Sequence, residues 1–269
     1  MIIAQISDPH ITAGGDPASE QRAAQLERAV AHLLRLPARP DIVLVTGDCT
    51  DDGSPAAYRR FRELLAPLPM PAYVIPGNHD DRGQLLAAFG AQGDAALAGY
   101  AQYVVETWPV RLIALDTHIP GEAGGQLGAE RLGWLAERLA EAPARPTLIM
   151  MHHPPFATGM APFDQIGLAD APALAALVAR HPQVERIVAG HVHSTMIQRF
   201  AGTLAVTCSA IAYQLAPDFG RPDRLAAVLE PPACLLHVWS AGAGLVTHTS
   251  LIGDHGPLVD LHDGERWVG

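Results

Sequence analysis

Short apolar runs recur along the first two hundred or so positions, each closed by Gly, Pro, Asp or His. They cover residues 2–6, 42–46, 72–75, 110–115, 147–151 and 186–189, and most are rich in Ile and Val. Their length predicts buried strands. Helical periodicity separates them. Leu26, Val30, Leu33 and Leu34 fall at i, i+4, i+7 and i+8, predicting a helix over about 19–36 with Ser19 as its N-cap. Phe61, Leu64 and Leu65 mark a second helix, closed by Pro67. Leu132, Leu135 and Leu139 mark a third; Leu174, Leu177 and Val178 mark a fourth, with Asp170 as its cap. After residue 195 strands follow one another without helices, at 197–200, 204–207, 225–229, 235–239 and 245–249. That order predicts one α/β domain over residues 1–269, with two packed sheets and helices outside. The strands and tail from about 195 to 269 are expected to complete the second sheet. Residues 117–128, 154–169 and 209–223 read as long loops.

The polar residues that close the runs carry the chemistry. Residues 2–6 lead to Asp8 and His10; 42–46 lead to Gly47-Asp48; 72–75 lead to Gly77-Asn78-His79-Asp80. Residues 147–151 lead to His152-His153-Pro154, and 186–189 lead to Gly190-His191-Val192-His193. Ligands of open α/β sheets bind at this carboxyl edge. Carboxylate, amide oxygen and imidazole together suit Zn, Mn, Fe or Co. In extended chain, i and i+2 face one side, so Asp8 and His10 can point at one ion, and His191 and His193 likewise. Gly47, Gly77 and Gly190 precede ligands where backbone must turn sharply or pack closely. Taken singly, Asp-x-His is a weak signal, and Gly-Asp or Asn-His is ordinary turn chemistry. Five such elements in order, each after an apolar strand, are not explained by turns.

Composition narrows the partners. The formal charge of −10 argues against a nucleic-acid polymer, which would meet a basic surface. Cys49, Cys208 and Cys234 form no metal or disulfide spacing. The first residues lack a basic stretch with a cleavage site, and no apolar run spans a bilayer, so a cytoplasmic protein without membrane contact is expected. Leu258, Val259, Leu261 and Trp267 make the tail apolar, so it is expected to pack on the body or on another subunit.

The ordered set Asp-x-His, Gly-Asp, Gly-Asn-His-Asp, His-His-Pro-Pro and Gly-His-x-His, spanning residues 8–193, resembles the calcineurin-like metallophosphoesterases. Its details resemble bacterial class III cyclic nucleotide phosphodiesterases and glycerophosphodiesterases. The resemblance implies a four-layer α/β/β/α sandwich and two divalent metal ions (Mn, Fe, Zn or Co). It implies that Asp8, His10 and His193 hold one ion, that Asn78, His152 and His191 hold the other, and that Asp48 bridges them. His79 would face the substrate phosphate and assist the leaving oxygen. The implied activity is hydrolysis of small phosphodiesters, 3′,5′-cyclic nucleotides or glycerophosphodiesters, with phosphomonoester hydrolysis or a non-enzymatic scaffold as alternatives. Homo-oligomerisation is likewise implied. His153 is expected beside the ligands and not among them. Asp51 and Asp80 are expected to orient neighbours. In some relatives a histidine near the substrate falls in the stretch matching 209–216; here that stretch holds Tyr213 and no histidine.

Overall fold

Period-two burial organises the molecule. On β1 (Ile2–Ile6), Ile3 faces one apolar layer while Ala4 and Ile6 face another. A computed structural model describes residues 1–90, 92–221, 224–262 and 266–267. After β1 come α1 (Pro17–Arg35), β2 (Ile42–Val45), α2 (Pro55–Leu65), β3 (Ala72–Val74), α3 (Arg82–Phe89), β4 (Tyr103–Val105) and β5 (Arg111–Ala114). Then follow α4 (Gly128–Glu141), β6 (Thr147–Met150), α5 (Ala161–Asp164), α6 (Ala171–Val178), β7 (Val184–Ala189), β8 (Ile197–Phe200) and β9 (Thr203–Thr207). The chain closes with β10 (Gln214–Leu215), β11 (Ala227–Val228), β12 (Ala233–Ser240) and β13 (Gly244–Leu251).

Of the two large sheets, the first runs β13-β12-β1-β2-β3 and the second β4-β5-β6-β7-β9-β8, while β10 and β11 pair in a small sheet of their own. Ile3, Ile42, Leu44, Leu112, Leu148, Met150 and Val188 fill the layer between the two sheets. The opposite faces, Val43 and Val45 on one sheet and Ile113 and Ile149 on the other, meet helices. Leu26, Val30 and Leu33 of α1 and Phe61 of α2 cover the first sheet; Leu135 of α4 and Leu174 of α6 cover the second. The result is the four-layer α/β/β/α sandwich. Strands buried on both faces explain the unbroken apolar runs.

Several local expectations need correcting. Residues beyond 195 do not complete one sheet. β8 and β9 extend the second, whereas β12 lies antiparallel to β1 in the first. A strand's sheet is set by its pairing partner, which sequence order does not reveal. The cap of α1 is Asp16, whose side chain accepts from the Ala18 and Ser19 amides, with Pro17 at the first helical position. Asp170 is the N-cap residue of α6, as expected, but through its backbone carbonyl, which accepts from the Ala173 and Leu174 amides; its carboxylate instead accepts from Leu127 N (3.1 Å) and Gly128 N (2.6 Å), at the start of α4. The stretches 154–169 and 209–223 contain α5 and β10, and residues 222–223 lie outside the described residues. Of the apolar tail residues, Leu258 is 82%, Val259 74%, Leu261 60% and Trp267 79% exposed, so these four do not pack on the body, while residues 263–265 and 268–269 lie outside the described residues. Among the described residues, no helix is long and apolar enough to cross a membrane.

His237 of β12 is fully buried against β1, with both ring nitrogens hydrogen-bonded. Burial first, then the charge of Arg186, pushes its pKa down to about 3. The folded state therefore refuses a proton that the unfolded chain accepts near 6.5, so stability is full above that pH and falls as the pH drops towards 3. Between pH 7 and about pH 4.5 this residue should cost about 2–3 kcal/mol of folding free energy. Urea unfolding of wild type and His237→Gln at both pH values should show the variant losing that much less. Identical losses would contradict it.

Candidate metal centre

Asp8 and His10 follow β1, Asp48 follows β2, Asn78 and His79 follow β3, His152 follows β6, and His191 and His193 follow β7. All eight predicted residues meet where the carboxyl edges of both sheets converge, and they form two adjoining groups. In one group His10 Nε2 lies 3.1 Å from His193 Nε2, with Asp8 Oδ1 3.6 Å from the latter. In the other, Asn78 Oδ1 lies 3.1 Å from His152 Nε2 and 3.0 Å from His191 Nδ1. Asp48 stands between them. Its Oδ2 is 3.5 Å from His10 Nε2 and its Oδ1 is 3.5 Å from His152 Nε2.

The backbone here is not extended, which corrects the i, i+2 argument. Asp8, His10, Asp48, His191 and His193 have φ of 51°, 47°, 43°, 72° and 49°, in the left-handed region that side chains avoid. The turn sends His191 and His193 into different groups. Such strain persists where surrounding structure over-determines it. A Cβ on Gly77 would run into the Asp48 carboxylate, and one on Gly190 into the Ser7 hydroxyl.

Hydrogen bonds on the far side of each ring fix where its lone pair points. His152 Nδ1 donates to the Thr46 carbonyl (2.8 Å), His191 Nε2 to the Ile166 carbonyl (3.1 Å) and His193 Nδ1 to the Tyr213 carbonyl (2.9 Å). His10 Nδ1 donates to Asp51 Oδ1 (2.9 Å). The opposite nitrogens, with the Asp48, Asp8 and Asn78 oxygens, are acceptors facing acceptors. That donor set fits divalent cations, since electron pairs packed this closely repel unless positive charge lies between them.

The titrating groups respond to the same imbalance. Burial lowers His10, but its hydrogen bond to Asp51 and the charges of Asp48 and Asp8 outweigh that and leave its pKa raised. Burial, then His153 and His152, holds His191 well below its ordinary value. Burial opposes ionisation of Asp48, yet His152, His10 and His79 hold its pKa below the usual carboxylate range.

His153 also lies near His152 and His191, so the three histidines alone would make a third group. Both its nitrogens are already occupied. The Thr117 hydroxyl donates to Nδ1 (2.8 Å), Nε2 donates to the Ala123 carbonyl (3.1 Å), and burial pushes the pKa down to about 3. It stands beside His152 and His191 with neither ring nitrogen left to face them. His79 stands at the mouth, its side chain 42% exposed, with its amide on Asp48 Oδ1 (2.9 Å) and Nδ1 facing the Asp51 carbonyl (3.2 Å). Arg22 of α1 reaches Asp51 Oδ2 at 3.5 Å, a neighbour that the motifs did not reveal. The carbonyls of Thr46, Ile166 and Tyr213 were also missed. Every residue carries a carbonyl, so no sequence signal marks them.

A family model described as calcineurin-like phosphoesterase matches residues 1–195. The chain belongs to the calcineurin-like phosphoesterases. A probable glycerophosphodiester phosphodiesterase of Arcobacter nitrofigilis is 36% identical over 259 residues, covering 94% of this chain and 94% of the relative. A probable cyclic nucleotide phosphodiesterase of Synechococcus sp. is 39% identical over 223 residues, covering 82% and 83%. A solved dimetal phosphatase of Danio rerio superposes with a TM-score of 0.66 at 16% identity, covering 94% of this chain and 99% of that one, which shows the shared fold.

Within this calcineurin-like site Asp80 secures the turns that carry Asp48 and Asn78. Its carboxylate accepts from the amides of Gly77, Cys49 and Thr50 and the hydroxyls of Thr50 and Tyr58, at 2.7–3.0 Å. Asp80→Ala would orphan these buried donors. It should lower unfolding free energy by about 2–4 kcal/mol in urea titrations, with Asp80→Asn in between. Wild-type stability in the alanine variant would show that the turns hold without it.

Proposed function

We propose that the chain is a dinuclear-metal phosphodiesterase hydrolysing small phosphodiesters, either 3′,5′-cyclic nucleotides or glycerophosphodiesters. The observation that carries this reading is Asp48, which turns one carboxylate oxygen to each group of ligands. In this reading Asp8, His10 and His193 hold one ion and Asn78, His152 and His191 the other, with Asp48 shared. Mn, Fe, Zn or Co suits the mixed oxygen and imidazole set. Because ligands come from both sheets, residues 1–269 act as one catalytic unit. The names of the two relatives support the two substrate classes.

Two divalent ions held by these residues would supply Lewis acidity for an in-line displacement at phosphorus. The protein's own work is placement and proton transfer. Water oxygen adds to phosphorus and gives up one of its protons to solvent, the bond from phosphorus to the leaving oxygen breaks, and that oxygen takes up a proton. His79 donates from Nδ1 to the Asp51 carbonyl, so only its imidazolium form has a second proton, on Nε2, to give to that oxygen, leaving neutral imidazole. The half-buried ring of Tyr213 packs on His10 and His193, at 5.9 and 4.6 Å between centroids, and forms a wall on which a base could stack. The acidic chain disfavours a nucleic-acid polymer. Three free, buried cysteines accord with a cytoplasmic enzyme, and the exposed apolar tail with a homo-oligomer.

The deciding assay is hydrolysis of bis(p-nitrophenyl) phosphate, cAMP and glycerophosphocholine, with Mn added and with chelator. Cleavage of at least one, abolished by chelator, is expected. If protein carrying two ions cleaves none of them, the diester reading fails and a monoesterase replaces it. His79→Ala should keep both ions and slow diesters with poor leaving groups by about 100-fold or more, and activated ones less. Equal activity of that variant on an unactivated diester would remove His79 from the mechanism.

A further inference from the structure

Facing the space between the sheets, each of three strands changes from apolar to polar or glycine as it nears the site. β1 presents Ile3 and Gln5, with Ser7 just beyond its end; β2 presents Leu44, with Thr46 just beyond; β7 presents Val188, with Gly190 just beyond. The polar members form a buried line whose hydrogens have one consistent direction. The Ala189 carbonyl can only accept, so Gln5 must turn its amide nitrogen towards it (2.9 Å). The same nitrogen donates to Thr46 Oγ1 (3.0 Å). Gln5 Oε1 is then left to accept from His237 Nε2 (3.2 Å). Neutral His237 accepts at Nδ1 from the Thr247 hydroxyl (2.9 Å), which itself accepts from Arg186 Nη1 (2.9 Å). At the other end the Thr46 hydroxyl donates to Ser7 Oγ (2.7 Å). Gln5, Ser7, Thr46 and His237 are all fully buried.

This line stops where the ligands start. Ser7 adjoins Asp8, the Thr46 carbonyl takes the hydrogen of His152 Nδ1, and Ala189 lies two residues before His191. β1 and β2 belong to one sheet and β7 to the other, so the spacing between the ligand groups depends on how the sheets are held together. The neighbouring inter-sheet positions are apolar, and apolar packing is non-directional. Burying polar groups there is costly unless every one is paired, and a fully paired network imposes one arrangement.

We propose that Gln5, Thr46 and His237 are positioning residues of the metal centre. They join three strand ends from two sheets at the spacing the ions require, and through the Thr46 carbonyl they set the tautomer of His152. The proposal rests on the two-ion reading of the site. Partners behind metal ligands typically change affinity by about 10–100-fold when removed.

The test is calorimetric titration of metal-free wild type, Thr46→Ser and Thr46→Val with Mn, alongside thermal melts of each metal-free protein. Serine keeps the hydroxyl and leaves a gap; valine fills the space and loses the hydroxyl. Expected are near-wild-type affinities for Thr46→Ser and a loss of about 10-fold or more at one ion for Thr46→Val. The reverse order would reveal a packing role and overturn the proposal, as would equal affinities in all three proteins. Should Thr46→Val not fold, His237→Gln, which keeps a donor and an acceptor, is compared with His237→Leu, which keeps neither, and the same ordering is required. Wild type that binds no ion would defeat the two-ion reading and this proposal together. Wild type that binds two, with valine or leucine variants that bind them equally well, would defeat this proposal alone.

Discussion

Repulsion among lone pairs is the constraint around which the molecule is arranged. Asp8, His10, Asp48, Asn78, His152, His191 and His193 turn acceptor atoms towards one another across spacings of 3.0–3.6 Å. No protein of marginal stability holds such a group together without a reason. The far side of each ring shows how it is held. Every histidine in the set donates its one hydrogen outward, to a backbone carbonyl or to Asp51, so only the lone pair is left facing inward.

The same demand explains the backbone. Five acidic or histidine positions adopt left-handed φ, and glycines stand where a side chain would collide with Asp48 or Ser7. These unfavourable conformations are sustained by three apolar layers, one between the sheets and one under each helical face. Asp80 gathers five donors from the turns after β2 and β3 and from Tyr58 of α2, linking helix packing to ligand position. Core, turn and site are one construction. A change in how the sheets pack would be felt as a change in ligand spacing.

Membership of the calcineurin-like phosphoesterases accords with a site built from these residue types. Two further residues border the site: Tyr213, packed over the rings of His10 and His193, and Arg22, on the Asp51 that supports His10. Both come from segments outside the motifs.

The chain's own order of residues determined the strands that feed the site, because a strand buried on both faces must be an unbroken apolar run, as at Ile42–Val45 and Thr147–Met150. It also determined which residues close those strands, so all seven proposed ligands and His79 are legible in the sequence itself. Tertiary structure alone decided the rest. The family resemblance already implied that His191 and His193 part company, but the left-handed turns that separate them are not encoded by local sequence for histidine. That β12 pairs with β1 while β8 and β9 join the other sheet depends on partners far apart in sequence. The cap that Asp170 lends to α4, the carbonyls behind the histidines and the line from Arg186 to Ser7 are relations between distant segments. Periodicity reports what a residue's own strand or helix buries; which groups meet across the layers is set only when the sheets close on each other.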